Sequence, residues 1–252
     1  MTGKGIAVVT GASSGLGWEF AREISRRREA DEIWVVGRRK KKLEELSALL
    51  PVRTRILSLD LVEETSFTYL AHLLEEEKPD ISLLINNAGR GSAVSFADED
   101  LKDITGMMKL NMEAPVKLTR ISLPYMRNGA GIINVCSAAS FLPLPGFSIY
   151  SASKSFLLSF SRSLAEEVKN RGIRVTALCP YWIRDTELMD KAGLHIDPTG
   201  ALTARMVAEQ GLRDNRKGKK ISIPGLMGKL TRLGAACFPL SFLLFFKKLF
   251  HA

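Results

Sequence analysis

Short apolar runs and longer stretches of helical spacing take turns along most of this chain. The runs at 5–10, 32–36, 53–57, 81–85, 131–135 and 173–178 are short and bounded by polar or turn-forming residues, which predicts strands. Ile81-Ser82-Leu83-Leu84-Ile85 is apolar almost throughout, as a strand covered on both faces should be. Between the runs, 16–28, 41–50, 101–127 and 148–169 follow a helical pattern. Strands alternating with helices imply βαβ units, right-handed crossovers and one parallel sheet with helices on both faces. After Leu188 the pattern loosens at Gly193, Pro198 and Gly200. Residues 187–217 read as a mobile, partly helical lid, and 220–223 as a last short strand.

A chain of 252 residues, 46% of them apolar, can build one sizeable α/β domain. No linker composition or repeat divides it, so residues 1–225 read as the domain and 226–252 as an extension. Cys136, Cys179 and Cys237 are odd in number and far apart, which favours reduced thiols and a cytoplasmic setting. His72, His195 and His251 are isolated, no Cys/His cluster has ligand spacing, and no metal is expected. At the amino end, the apolar run 6–9 is too short for a signal peptide. The net charge of +9 reads first as a basic solvated surface. It also admits anionic partners, among them a phosphorylated ligand, an acidic carrier or lipid head groups, while nothing resembles a nucleic-acid module.

Thr10-Gly11-Ala12-Ser13-Ser14-Gly15-Leu16-Gly17 joins the first strand to the first helix. Glycine permits a tight turn and close approach of backbone to a pyrophosphate, whose charge then meets the free N–H groups of the helix. An ordinary strand–helix turn could look the same, but the place at the first βα junction favours the phosphate reading. The spacing is G-x-x-x-G-x-G rather than the commoner G-x-G-x-x-G.

This loop, Asp60-Leu61, Asn86-Asn87-Ala88-Gly89, Asn111, Ser137 and Tyr150-x-x-x-Lys154 follow one another over about residues 4–186. The ordered set resembles the short-chain dehydrogenase/reductase family. The resemblance implies a Rossmann-type doubly wound sheet of about seven strands, a nicotinamide cofactor, a small carbonyl or alcohol substrate, and a homodimer or homotetramer. It places Gly11, Ser13, Ser14, Gly15, Leu16 and Gly17 at the cofactor. It also implies that Asp60 meets the adenine amine, Leu61 packs beside the ring, and Asn87, Ala88 and Gly89 line the ribose side. Asn87 equally fits a tie between neighbouring strands. An acidic residue after the second strand would bind a ribose 2′-hydroxyl, but Arg38 and Arg39 stand there. Guanidinium groups suit a phosphate dianion, so NADP(H) is expected over NAD(H), while Lys41 and Lys42 read as a solvated helix start. Pro180, Ile183 and Thr186 are expected near the nicotinamide. There the chain departs from the family pattern, with Tyr181 in place of a glycine and Asp185 in place of a threonine. Either Asp185 or Thr186 is left for the carboxamide.

Reducing a carbonyl requires a hydride on carbon and a proton on an oxygen that is gaining negative charge. A free tyrosine titrates near ~10, and a neighbouring cation lowers that. Tyr150 and Lys154, four apart on a helical pattern, share a face, so Lys154 is expected to acidify Tyr150. The resemblance adds that Lys154 holds the nicotinamide ribose and that Asn111 supports a water relay to it. Ser137, after a strand, is expected to orient the substrate oxygen. Asn111 read alone is an ordinary helix-surface residue, and Ser140, Ser148 and Ser151 lie close to Ser137.

The leading expectation is an NADP(H)-dependent reductase or dehydrogenase acting on a medium-sized, fairly apolar carbonyl or secondary alcohol. A 3-oxoacyl thioester reductase is the rival within the class, and a non-catalytic NADP(H)-binding sensor or scaffold outside it. The extension 226–252 is basic and apolar, but its uncharged run is short of the ~20 residues that cross a bilayer. It packs on its own domain or a partner, lies peripherally on a membrane, or walls a pocket for an apolar substrate, in that order of preference.

Overall fold

The computed structural model describes residues 4–184 and 200–239. Seven parallel strands form the central sheet: β1 (Ile6–Thr10), β2 (Glu32–Gly37), β3 (Arg53–Ser58), β4 (Ile81–Asn86), β5 (Gly131–Val135), β6 (Arg174–Leu178) and β9 (Ile221–Ser222). Their order is β3-β2-β1-β4-β5-β6-β9, so the winding reverses between β1 and β4. A crevice at the carboxyl ends of those two strands is where such a sheet takes its ligand. A two-residue parallel pair, β7 (Ile183–Arg184) with β8 (Leu202–Thr203), lies apart from the sheet and was not legible as alternating pattern.

Alternate strand residues feed two cores. On one face Val9, Val35, Ile85 and Ile133 pack with Phe20 and Ile24 of α1 (Gly15–Arg26) and with Leu43 and Leu46 of α2 (Lys40–Leu49). On the other, Val8, Trp34, Leu84 and Ile132 pack with three further helices. These contribute Phe67 and Leu70 from α3 (Glu64–Glu77), Leu118 from α5 (Ala114–Ser122) and Leu164 from α6 (Ser148–Glu167). Each such large side chain, fully buried, stabilises the fold by roughly 1.5–3 kcal/mol. Polar stitching crosses the second layer. Asn86 Nδ2 donates to Asn134 Oδ1 (2.8 Å) and Thr119 Oγ1 (3.1 Å), and Asn134 Nδ2 donates to Ser161 Oγ (2.8 Å).

The helix expected over 101–127 is not continuous. α4 (Leu101–Met108) passes through a π turn at Lys109–Glu113 into α5, and a 3₁₀ turn at Leu123–Tyr125 ends the segment. Pro115 has no N–H to offer the carbonyl of residue 111, and the ladder widens there, with the Ala114 N–H reaching back to the Lys109 carbonyl.

The lid expected over 187–217 needs correction. Residues 187–199 lie outside the described residues. The second part is no lid: α7 (Ala204–Arg216) is a core helix, with Val207, Ala208 and Leu212 buried against α1 and the sheet. Thr203 Oγ1 caps it by accepting from the Met206 N–H (3.2 Å), and Gly211 lies against Phe20 and Leu178. Arg205, Glu209 and Arg213 break the apolar run on its outer side, and this hid the helical period. Buried Asn215 anchors its carboxyl end, donating from Nδ2 to the Ile132 carbonyl and to Thr176 Oγ1, each at 3.0 Å. Its Oδ1 occupies the place of a side chain at Gly131, where an added Cβ would lie only 2.2 Å away. The last helix, α8 (Leu226–Cys237), follows β9.

Asn215→Ala should lower unfolding free energy by roughly 2–3 kcal/mol, since it strands buried partners on two strands. Urea denaturation measures this, and a change of only a few tenths would show that the apolar face alone holds α7.

Candidate active site

Two polar residues close the crevice at its base. Thr10 Oγ1 donates to the Ile85 carbonyl (3.1 Å) and accepts the backbone N–H groups of Asn87 (2.9 Å) and Ala88 (3.0 Å). Asn87 Nδ2 donates back to the Thr10 carbonyl (2.9 Å) and, more weakly, to that of Gly11 (3.4 Å). Asn87 therefore ties β4 to the glycine loop. Gly17 is required here: an added Cβ would sit 2.3 Å from the Gly11 carbonyl oxygen and 2.5 Å from Asn87 Nδ2. Gly11 and Gly15 take positive φ, 65° and 54°, which side chains resist. Ser14 precedes α1 without a side-chain capping bond, so it leaves the first-turn N–H groups to other acceptors. Leu16, by contrast, is spent on the core.

Around this loop the cationic residues gather. Arg39 donates from Nε to Ser13 Oγ and from Nη2 to the Ser13 carbonyl, each at 3.2 Å. Arg38 Nη1 lies 3.7 Å from Asp60 Oδ2, and both side chains are exposed. Such a pair contributes little and is easily exchanged for a ligand. Asp60 also accepts the Val62 N–H at Oδ1 (3.2 Å), while Leu61 is buried in the core beside Phe67. The side chain of Leu61 is thus committed to packing. A tight glycine turn, first-turn N–H groups without a side-chain cap and two nearby guanidinium groups fit the phosphates of a dinucleotide.

The four residues expected to act on substrate converge at the carboxyl ends of β4 and β5. Buried Asn111 lies in the π turn and clamps the Arg90 peptide from both sides. Its Oδ1 accepts the Arg90 N–H (3.0 Å), and its Nδ2 donates to the Arg90 carbonyl (2.9 Å) and Ser153 Oγ (3.1 Å). Gly89 fills the space between Asn111 and Lys154, since an added Cβ would meet Asn111 Oδ1 at 3.2 Å and Lys154 Nζ at 3.4 Å. One turn of α6 separates Tyr150 from Lys154, whose Nζ lies 5.8 Å from the phenol ring centroid. Lys154 Nζ donates to the Val135 carbonyl (2.9 Å). Ser137 Oγ accepts the Ala139 N–H (3.2 Å), and the Ser137 hydroxyl lies near the Tyr150 phenol.

Burial dominates the electrostatics. It pushes the Tyr150 phenol above its ordinary range, and the neighbouring Ser137 hydroxyl pulls it part of the way back. It likewise pushes the Lys154 ammonium down. The expected acidification of Tyr150 by Lys154 is therefore corrected: burial raises the phenol, the part that is offset comes from Ser137 rather than Lys154, and the same burial disfavours the charge of Lys154.

At the far side, the Pro180 carbonyl accepts the Ala138 N–H (2.7 Å), and Ile183 pairs with Leu202. Tyr181 and Trp182 stack edge to face at 6.0 Å, both half-buried. Asp185 and Thr186 lie outside the described residues. No cluster able to hold a metal occurs among the described residues.

Three residues that position this site were missed in the sequence. Ser140 Oγ accepts the Ser137 N–H (3.3 Å) and donates to the Lys154 carbonyl (2.9 Å), coupling the two. Ser153 holds Asn111, and Thr10 holds the Asn87 loop. The Ser137-x-x-Ser140 spacing is that of a capping box and was the one available signal. The other two look like ordinary small polar residues.

Known proteins resemble this chain over most of its length. The family model for short chain dehydrogenase matches residues 5–196. The very-long-chain 3-oxoacyl-CoA reductase of Anas platyrhynchos is 34% identical over 188 residues, which are 70% of this chain and 59% of that protein. The match thus spans well under two thirds of that relative. Sulfoacetaldehyde reductase 2 of Chromohalobacter salexigens is 35% identical over 69% of this chain and 71% of its own. Among solved structures, a short-chain dehydrogenase from Sphingobium yanoikuyae in complex with NADPH superposes with a TM-score of 0.80 at 27% identity, covering 92% of both chains. One from Streptomyces avermitilis superposes with a TM-score of 0.81 at 26% identity, over 98% of this chain and 97% of that one. With the sheet order, the glycine turn and the Ser137–Tyr150–Lys154 grouping, these matches show that the chain is a member of the short-chain dehydrogenase/reductase family.

Proposed function

We propose that the protein interconverts a carbonyl and a secondary alcohol with NADP(H), on a medium-sized, fairly apolar substrate. The observation that carries this reading is the placing of Tyr150 one helical turn from Lys154, whose Nζ lies 5.8 Å from the phenol ring centroid, with the Ser137 hydroxyl near enough to offset part of the effect of burial on the phenol. Bound nicotinamide would supply or accept the hydride. Gly11, Gly15 and Gly17 let backbone approach its pyrophosphate, and Arg38 and Arg39 would hold the additional phosphate. Ser137 donates to the substrate oxygen and orients it, and Tyr150 delivers the proton as charge builds there. Lys154 supports that charge from the same helix face, and Asn111 holds the 90 loop against it. Burial keeps Tyr150 in its neutral, proton-donating form, which suits reduction. The unpaired cysteines favour a reducing, cytoplasmic setting, and the family resemblance a dimer or tetramer.

A second reading narrows the substrate to a 3-oxoacyl thioester. The names of the duck relative and of a human one, 31% identical, favour it, and so does the basic net charge, which would attract an anionic carrier. Turnover of ketones, aldehydes and 3-oxoacyl thioesters, followed by nicotinamide absorbance, separates the readings. Higher kcat/KM for thioesters selects the second, and no turnover despite NADPH binding selects a sensor.

Tyr150→Phe should lower kcat by about 100-fold or more while NADPH still binds; near-normal turnover would remove Tyr150 as the proton donor. Arg38→Asp should shift preference toward NAD(H), measured as the ratio of kcat/KM for the two cofactors, and an unchanged ratio would refute the role of Arg38. A phenol with a raised pKa stays protonated through neutrality. Reduction should therefore hold its rate there and fall only in the alkaline range, while oxidation rises; a reduction rate already falling below neutrality would contradict this.

A further inference from the structure

α8 is built inside out. A surface helix of a soluble domain turns its large apolar residues to the core. Here the buried residue is Gly228, packed against Ile223, the Tyr181 side chain and the Cys179 carbonyl. Leu226, Leu230 and Leu233 point away, 69%, 49% and 60% exposed. Their spacing of four and three puts them on one stripe, which Cys237 continues and exposed Phe238 follows.

We propose that this stripe is a docking surface for an anionic lipid membrane. Charge is the first argument for lipid. Residues 216–252 hold eight Lys and Arg and no Asp or Glu; Arg216, Lys219 and Lys220 pair with Glu29, Asp214 and Glu166, which leaves the cations from Lys229 onward to meet a partner. Within α8, Lys229 and Arg232 are exposed, and neither pairs with a carboxylate among the described residues. The chain that follows is the second argument. Its residues 242–246 read Phe-Leu-Leu-Phe-Phe, succeeded by Lys247 and Lys248 and again by Leu249 and Phe250. Leucine and phenylalanine beside lysine is the composition of an interfacial anchor, which sinks its apolar face while its cations meet phosphate. No described helix is long and apolar enough to cross a membrane, so the contact is with the surface.

A second copy of the chain fits the stripe less well. An isologous contact would bring two acid-free, strongly basic ends together, and like charge opposes it. The place of the stripe gives the docking a use. Arg232 lies 5.9 Å over the ring of Phe141, four residues past Ser137, and Gly228 lies on Tyr181. On the functional reading above, the docked face adjoins the substrate cleft and exposes it to molecules dissolved in the lipid. The docking itself does not depend on that reading.

The test is co-sedimentation of the full chain with phosphatidylcholine vesicles, with and without phosphatidylserine. Turnover is not read, so failure of the reaction assignment would leave this result intact. Wild type should pellet with the phosphatidylserine vesicles and about tenfold less with phosphatidylcholine alone. Leu226→Glu/Leu230→Glu/Leu233→Glu should lose about tenfold or more of the binding while keeping its circular dichroism and thermal transition. Lys229→Glu/Lys247→Glu/Lys248→Glu should lose the dependence on phosphatidylserine. Binding by the leucine variant equal to wild type would overturn the proposal and assign any binding to the tail alone. Binding indifferent to phosphatidylserine would overturn it as well. So would a wild-type dimer, seen by sedimentation velocity, that the leucine variant dissolves without any wild-type vesicle binding.

Discussion

The crevice exists because Asn87 can reach the glycine loop, and it can do so only while residue 17 has no side chain. The amide of Asn87 and the carbonyl of Gly11 occupy the volume that a Cβ at position 17 would claim. This close approach fixes the loop after β1 against the loop after β4, across the line where the strand order reverses. The N-terminal turn of α1, the guanidinium groups beyond β2 and the end of β4 then face one another across a set distance. Loosening the contact by an ångström would separate the two halves of the site without unfolding either.

The catalytic end obeys a different constraint, that of buried charge. Lys154 is almost wholly removed from water, and an ammonium there needs acceptors arranged around it. The Val135 carbonyl accepts a hydrogen bond from one of its N–H groups, and the helix backbone at Lys154 is in turn held by Ser140. The same burial holds the phenol in its neutral form. Both groups thus rest in their uncharged direction, and a ligand that brings charge into the cleft acts on poised, not fixed, titrations.

Much of this architecture could be read from residues alone. Every strand of the main sheet falls within a residue or two of a predicted run, and the inner ones do so because parallel strands buried on both faces have little freedom in composition. The four candidate catalytic residues do come together, because their order and spacing follow strand ends and one helix face. Three things were not legible. The core helix α7 was hidden by charged residues on its outer side. The supports at Thr10, Ser140 and Ser153 are small hydroxyls whose partners lie far away in sequence. The direction of the Tyr150 shift was misjudged because spacing reports a neighbouring cation but not the desolvation that both groups share.

The widened turn at Lys109–Glu113 sets the phase of everything that follows it. An additional residue in one helical turn rotates the downstream part by about 100° relative to an unbroken helix. Asn111 can then look toward Gly89 while Leu118 looks into the core, although both belong to what the sequence spaces as one rod. In a chain of this kind, deleting a single residue between Leu110 and Pro115 would not merely shorten a segment. It would turn the cleft-facing amide and the sheet-facing leucine out of step, so that only one of them could be satisfied at a time.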